Sequence, residues 1–89
     1  MKAVVTVIGI DKPGIIAKIS GKLFEENVNI LDITQTIMGE LFSMIMLVDV
    51  KSKETDFSAL VSDMKAIGEE IGVEVTVTRD EIYKSMHRI

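Results

Sequence analysis

Hydrophobic residues recur along the chain with two spacings, one typical of strands and one typical of helices. The run Lys2–Ile10 is short, apolar and rich in β-branched residues, which predicts a strand buried on at least one face. Pro13 and Gly14 end this strand, and helical spacing follows from residue 15 to about residue 27. The apolar stripe of this first helix is predicted to contain Ile16, Ile19, Leu23 and either Ala17 or Ser20.

A two-residue period returns in the runs Val28–Met38 and Leu41–Val50. Gly39 and Glu40 separate the two runs, so together they predict a β-hairpin. Strict alternation divides the first of these strands into two faces, one with Asn29, Leu31, Ile33, Gln35 and Ile37 and the other with Ile30, Asp32, Thr34 and Thr36.

A second helix is predicted from Asp56 onward, and Gly72 stands where its C-cap belongs. Its apolar stripe follows helical spacing through Phe57, Leu60, Val61, Met64, Ile67 and Ile71. From Val73 to about residue 82, valines alternate with polar residues, which predicts a last strand with one wet face. Residues 51–54 are predicted to form a solvated loop, and residues 83–89 a basic tail.

The order of these elements is βαββαβ, and its two right-handed crossovers predict four antiparallel strands with both helices on one face. The fold class is therefore α+β, a ferredoxin-like βαββαβ sandwich. Residues 1–82 are expected to form one domain, followed by the C-terminal tail of residues 83–89.

The third strand is apolar on both of its faces, although the helices of this fold cover only one side of the sheet. One face carries Leu41, Ile45 and Leu47, and the other carries Phe42, Met44, Met46, Val48 and Val50. Either a tail or loop folds over the uncovered side, or a second copy of the chain does. The second interpretation predicts a homodimer or higher homo-oligomer whose interface, a sheet face or edge, contains Phe42, Met44, Met46 and Val48.

Hydrophobic content, net charge and the lack of cysteine limit the partners that the chain could bind and the compartment in which we expect it. The 89 residues are 47% hydrophobic and 27% charged, which is enough for one modest core. A net charge of −4 argues against nucleic acid or an acidic membrane as a partner, and no apolar run is long enough to cross a bilayer. The first residues are predicted to form a strand rather than a secretory segment. The absence of cysteine is compatible with a reducing compartment, so the chain is expected in the cytoplasm.

The chemistry that this fold often carries has no counterpart in the sequence. Without cysteine there is no metal-chaperone pair, and the first strand–helix corner has Lys12 where an acyl-phosphate hydrolase would need arginine. Aromatic residues make up 4% of the chain, too few for RNA stacking. No nucleophile–base pair stands out, since the one histidine, His87, lies in the tail near the C-terminus. We therefore expect no enzyme activity, no catalytic residue, no metal and no cofactor.

A tight Asp-Lys-Pro-Gly corner joins the first strand to the first helix. Pro13 fixes its own φ, Gly14 leaves neighbouring backbone N–H groups uncovered, and the helix directs its positive dipole end at the corner. Such a corner suits an anion such as a carboxylate. Other roles remain open, since Asp11 could cap the helix, Asn29 could bind backbone groups at a strand entry, and the turn itself needs Pro13 and Gly14.

Two stretches of the chain form a recognisable pattern: residues 9–17 read G-I-D-K-P-G-I-I-A and residues 23–30 read L-F-E-E-N-V-N-I. They combine an Asp/Asn-x-Pro-Gly turn, a helix and an Asn-Ile pair at the start of the second strand. This pattern resembles the ACT domain, the small regulatory module attached to amino-acid biosynthetic enzymes. The resemblance covers residues 1–82. It is greatest to stand-alone ACT proteins and to the ACT units of the glycine-cleavage repressor and formyltetrahydrofolate deformylase.

The resemblance implies that copies pair and that an amino acid or a related metabolite binds in the cleft between them. It places the corner residues Asp11, Lys12, Pro13, Gly14 and Ile15 against the ligand, facing Asn29, Ile30 and Leu31 at the strand start of another copy. Amides near Gly14 and Ile15 could hold an α-carboxylate, Asp11 could accept from an α-ammonium, and Asn29 can donate and accept together.

Two functions from different classes follow. The first is a regulatory module that senses an amino acid or a related small metabolite and acts through a protein partner. The alternative is a structural or oligomerisation domain that binds no ligand. The presence of both Gly14 and Asn29 favours the first.

Overall fold

Six elements follow one another in the order that the hydrophobic pattern predicts. The structure is a computed structural model that describes residues 1–50 and 57–81. Its elements are β1 (Lys2–Ile10), α1 (Ile15–Glu25), β2 (Val28–Met38), β3 (Leu41–Val50), α2 (Phe57–Ile71) and β4 (Val73–Arg79). The strands form one antiparallel sheet in the order β2-β3-β1-β4, so the ferredoxin-like fold is confirmed. The predicted loop at residues 51–54 and the predicted tail at residues 83–89 lie outside the described residues.

One face of the sheet packs against both helices and forms the hydrophobic core. Val5 of β1 pairs with Met46 of β3 and with Val77 of β4, which places these three side chains on the helix face. The buried core includes alternate residues of three strands and the inner sides of both helices: Ala3, Val5, Val7, Met44, Met46, Val48, Val73, Val75, Val77, Ile19, Leu23, Leu60 and Met64. Burial of these apolar surfaces supplies most of the driving force for folding.

The prediction that Phe42, Met44, Met46 and Val48 form a subunit interface is wrong. All four side chains are buried beneath the helices, and Met46 is 1% exposed. The opposite face of β3 is the open one, where Leu41 and Ile45 are exposed and Leu47 is half-buried. The pattern could not tell the faces apart, because β3 is apolar on both.

A β-bulge in β2 corrects the predicted division of that strand into faces. Ile30 pairs with Val48 of β3 and Asp32 with Leu47, so Leu31 is an extra residue in the ladder. Ile30 therefore lies on the helix face together with Ile33, whereas Asn29 lies on the open face. Strict alternation had assigned Asn29 and Ile33 to one face, since a bulge shifts the alternation by one residue.

The first helix buries a different stripe from the predicted one. Ile15, Ile19 and Leu23 are in the core, whereas Ile16 is exposed and Ala17 is also on the surface. The helix ends at Glu25 rather than near residue 27, because Asn27 takes a left-handed φ of 61°. The last strand likewise ends early, at Arg79.

The two helices cover the sheet unevenly. A Cβ atom at Gly68 of α2 would lie 2.8 Å from the Val73 carbonyl oxygen and 2.7 Å from Val75 Cγ2, so α2 lies very close to β4. At the other edge, residues 31–38 of β2 are all exposed, whichever face they lie on. The described sheet therefore has one edge strand beneath a helix and one edge strand that projects beyond the helices.

Candidate functional site

The corner between β1 and α1 is an uncapped helix N-terminus. Gly14 is the N-cap residue, with φ 88° and ψ 0°, and no side chain caps the helix. Asp11 therefore does not cap α1, and the alternative role considered for it is excluded. Its backbone N–H instead donates to the Glu40 carbonyl oxygen at 2.7 Å, which ties the corner to the β2–β3 turn. Amides at the start of a helix that lack a cap attract anions.

A small cleft of about 260 Å³ opens at this corner. It is lined by Asp11, Lys12, Gly14, Ile15, Ile16, Ala17, Gln35, Ile37 and Phe42. Pockets for drug-sized ligands span about 300–1,000 Å³, so this cleft suits a molecule the size of an amino acid. An added Cβ at Gly14 would have no heavy atom within 4 Å, so the space in front of this backbone is open.

Two of the predicted corner residues direct their side chains away from this space. Ile15 is 3% exposed and belongs to the core, so only its backbone is available to a ligand. Lys12 extends toward the end of α2, where a Cβ at Gly72 would lie 2.8 Å from Lys12 Nζ. The carbonyl end of a helix carries partial negative charge, which favours an ammonium group there.

The second half of the predicted site lies at the other end of the sheet within one copy. Asn29 lines a separate cleft of about 190 Å³ together with Phe24, Asn27 and Val28. Ile37, which lines the corner cleft, is eight residues further along β2, or roughly 26 Å at the rise of an extended strand. One copy therefore does not bring Asn29, Ile30 and Leu31 to the corner, in keeping with their assignment to a second copy.

Sequence reasoning missed Gln35 and Ile37 as residues of the cleft. Both lie on the helix-facing side of β2, paired with Met44 and Phe42 of β3. The signal was available in the topology: in the strand order β2-β3-β1, the end of β2 lies at the same end of the sheet as the end of β1.

A cluster of charges links the two helices away from the cleft. Lys22 Nζ lies 3.4 Å from Glu26 Oε1 and 3.7 Å from Glu25 Oε2. A hydrogen bond with Asp63 of α2 raises the pKa of the Glu26 carboxyl, and partial burial adds to this rise. Desolvation lowers the pKa of the Lys22 ammonium, but the carboxylates of Glu26, Asp63 and Glu25 together outweigh this effect, so the pKa is raised. This cluster connects α1 to α2.

Residues 1–50 and 57–81 hold neither a cluster of metal-ligating side chains nor a helix able to span a membrane. These residues contain no group of three or more acidic, histidine or cysteine side chains placed to hold a metal ion. No helix within the same ranges has the length and apolar character needed to cross a membrane.

The fold and the corner cleft define a ferredoxin-like α+β domain with a small-molecule-sized opening at its first helix. The ACT domain family model matches residues 2–78, and the chain belongs to this family. Domains of the family are generally regulatory and bind small molecules. A UPF0237 protein of Methanocaldococcus jannaschii is 53% identical over 88 residues, which cover 99% of this chain and 98% of the relative.

Solved structures extend the comparison. An ACT domain protein from Streptococcus pneumoniae superposes with a TM-score of 0.84 at 39% identity, covering 94% of both chains. A putative glycine cleavage system transcriptional repressor has a TM-score of 0.77 at 20% identity over 88% of this chain and 44% of its own. A formyltetrahydrofolate deformylase from Pseudomonas putida has a TM-score of 0.78 at 12% identity, and the match covers 88% of this chain and 28% of the deformylase. The predicted resemblance to these proteins is confirmed, the last two at the level of the fold.

Proposed function

We propose that this protein is a non-catalytic regulatory module of the cytoplasm that binds an amino acid or a related metabolite between two copies and acts through a protein partner. The observation that carries the proposal is the uncapped N-terminus of α1, whose amides open on a cleft of amino-acid size. Membership of the ACT family supports a regulatory role.

The exposed edge of β2 supports a second copy as part of the site. Its residues Leu31, Ile33, Ile37 and Met38 are exposed, and the adjoining surface of α1 adds Ile16 and Phe24, which is 84% exposed. Among the described residues no strand pairs with the outer edge of β2, and a folded domain rarely leaves so much apolar surface uncovered beside such an edge. We define this surface as the β2 flank: Ile16, Phe24, Leu31, Ile33 and Ile37.

Pairing of two β2 flanks would complete the corner cleft. If two β2 strands pair antiparallel about a two-fold axis near Ile33, the bulge at Leu31 brings Val28 of one copy opposite Ile37 of the other and Asn29 opposite Thr36. Ile37 lines the corner cleft, so the same pairing brings the partner's strand start, residues 29–31, beside that cleft. This geometry accounts for two predicted halves of a site that lie at opposite ends of one copy.

The completed cleft has groups for both ends of an amino acid. Backbone N–H groups at Gly14 and Ile15 would bind the α-carboxylate, and the Asp11 carboxylate would accept from the α-ammonium. The Asn29 side chain of the second copy leaves β2 on the open face, so it would extend around the strand edge to donate to the carboxylate or accept from the ammonium. Ile16 and Ile37 supply apolar walls for the ligand's side chain.

A structural role without a ligand is the alternative function. It is favoured by the position of Lys12, whose ammonium lies at the end of α2 rather than in the cleft, and by the burial of Ile15. In this case the β2 flank would serve association alone.

Thermal unfolding in the presence of each of the twenty amino acids decides between the two functions. At about 100 times Kd a ligand adds about 2.7 kcal/mol to the unfolding free energy. About 1 kcal/mol moves the Tm of a domain this small by roughly 4–8 °C, so binding is readily measured. If millimolar concentrations of all twenty leave Tm unchanged, the structural alternative replaces the sensing function.

Variants locate the site. Asn29→Ala should reduce the ligand-induced shift with little change in the Tm of the free protein, and Asp11→Asn should do the same by removing the ammonium partner. Ser62→Ala on the exposed surface of α2 is the matched control and should leave the shift unchanged. Equal shifts in all three variants would place the ligand elsewhere.

A further inference from the structure

A second, larger groove lies at the opposite edge of the sheet from the β2 flank. It has a volume of about 580 Å³ and runs between α2 and the edge strand β4. Residues 73–77 all line it, and because neighbouring residues of a strand point to opposite faces, the wall of the groove is the strand edge itself. We call this cavity the β4 groove.

The strand edge provides hydrogen-bonding groups along the length of the groove. In the described sheet, β4 has β1 as its neighbour on one side and no strand on the other. Alternate residues of an antiparallel edge strand direct both N–H and C=O away from the sheet. Five residues of strand extend about 16 Å, which matches an extended peptide and greatly exceeds a single amino acid.

The side chains around the β4 groove combine an apolar floor with charged rims. Val61 of α2 and the valines of β4 line it together. Glu69 and Glu74 lie at the end nearest Gly72, and Lys65 lies about one helical turn before Glu69. No ion pair joins these three charged side chains to one another in the described structure. The end nearest Gly72 thus has two carboxylates against the one ammonium of Lys12, an excess of negative charge.

We propose that the β4 groove binds an extended segment of a partner protein, added to the sheet as a fifth strand. The segment would have apolar residues at alternate positions, packed against Val61 and the β4 valines, and a basic residue near Glu69 and Glu74. Main-chain hydrogen bonds give such complexes their affinity, and alternate side-chain contacts give them specificity. This proposal rests on the proposed function only for the existence of a regulated partner.

A second copy fits the β4 groove less well than a partner segment does. A chain that paired with copies through both β2 and β4 would build an open-ended sheet, which natural edge strands avoid with charged side chains. Three charged side chains line the groove at β4, whereas the exposed residues 31–38 of β2 carry one charge, Asp32, and four large apolar side chains. The β2 edge is therefore the one suited to self-association.

Peptide binding to the full-length protein tests the proposal. The probe is a fluorescently labelled, blocked hexapeptide, Val-Lys-Val-Thr-Val-Thr, with fluorescence anisotropy to measure Kd and amide hydrogen exchange to locate the bound strand. We expect a Kd in the micromolar range and slowed exchange at residues 73–77. The same peptide N-methylated at alternate residues keeps its side chains but loses its strand edge, and it should not bind.

Matched charge variants of the protein sharpen the test. Glu74→Lys should weaken binding by roughly fivefold to tenfold, since it converts an exposed attraction into a repulsion. Glu70→Lys makes the same change in net charge outside the groove and should leave Kd unchanged. Equal weakening by both variants, tight binding of the N-methylated peptide, or protection at β2 instead of β4 would overturn the proposal. So would protection of β4 that depends on protein concentration alone, because a second copy would then occupy the groove.

The proposed sensing function is measured separately on the same samples. Amino-acid-induced shifts in Tm should persist in Glu74→Lys, because the β4 groove and the corner cleft share no lining residue. If the wild-type protein binds no peptide but its Tm still rises with an amino acid, only the proposed β4 site is overturned. If it binds the peptide but no amino acid changes its Tm, only the proposed corner site is overturned.

Discussion

The two edge strands of the sheet, β2 and β4, differ in the helices and side chains that lie beside their backbones. At β4 the helix α2 lies close to the strand, Arg79 stacks over the Phe57 ring at 5.2 Å, and charged side chains border the groove. At β2, residues 31–38 are exposed on both faces and include four large apolar side chains, and α1 presents Ile16 and Phe24 beside them. We therefore propose that the β2 edge serves stable association with a second copy of the chain. The β4 edge is the one proposed to bind a partner segment transiently.

The space around one glycine in each helix shows the same difference between the two sides of the sheet. Gly68 of α2 has no room for a side chain, because backbone and side-chain atoms of β4 lie within 3 Å of where a Cβ would stand. Gly21 of α1 faces open space, with nothing within 4 Å of its Cβ position. Packing fixes the helix at the β4 side, whereas the helix at the β2 side keeps a free surface.

The largest expected effect is loss of the dimer when a charge is placed on the β2 flank. Ile33→Lys would put an unpaired ammonium at the centre of the proposed β2 pairing and should weaken association by about 3 kcal/mol, or roughly 100-fold. Thr76→Lys adds the same charge to the exposed β4 edge and should leave the dimer intact. Light scattering during size-exclusion chromatography at micromolar concentration gives the mass of each variant.

Two results would break this comparison of the edges. A monomeric wild-type protein at tens of micromolar would remove the self-association assigned to β2. Dissociation by Thr76→Lys with an intact Ile33→Lys dimer would reverse the roles of the two edges.

The next effect concerns folding stability and has opposite signs at the two helices. Gly68→Ala should destabilise the protein by about 1–3 kcal/mol, because its methyl group must push α2 away from Val73 and Val75. Gly21→Ala should stabilise it by about 0.5–1 kcal/mol, since alanine restricts the unfolded chain and meets no clash. Urea unfolding followed by circular dichroism measures both. If Gly68→Ala were also stabilising, α2 would be less closely packed on β4 than described.

The sequence was a good guide wherever a pattern had one solution. The spacing of Leu60 and Met64 in α2, and the alternation of Val73, Val75 and Val77 in β4, each fit only one buried face. The glycine at position 72, with φ 78°, ends α2 as its C-cap position predicts. Together with the order of the six elements, these patterns sufficed to predict four antiparallel strands with both helices on one face.

Elsewhere the sequence allowed two solutions, and tertiary packing chose between them. Met46 and Ile45 are both apolar neighbours on β3, and only contact with the helices places Met46 inside. The bulge at Leu31 changes the face on which Asn29 lies, and no glycine or proline near it marks the bulge in the sequence. At the corner, the helical spacing allowed either Ile15 or Ile16 to be the buried residue, and the structure buries Ile15. The cleft itself needed the β2–β3 hairpin, which brings Gln35 beside residues distant in sequence.

The smallest expected effect is in the pH dependence of the contact that joins α1 to α2. The hydrogen bond with Asp63 raises the pKa of Glu26 above 4.5, so the folded protein holds this proton more tightly than the unfolded chain does. Its stabilisation is therefore complete at acidic pH and is lost as pH rises through the raised pKa. Because Glu26 lies near the surface, the contribution should stay below about 1 kcal/mol.

The Glu26→Gln variant keeps a neutral hydrogen-bonding group at every pH. The unfolding free energy of this variant should therefore fall less than that of the wild type between about pH 4 and pH 7. Glu25→Gln on the same helix is the control, and it should follow the wild-type slope. Parallel slopes for wild type and Glu26→Gln in urea titrations would show that the two helices are joined by apolar packing alone.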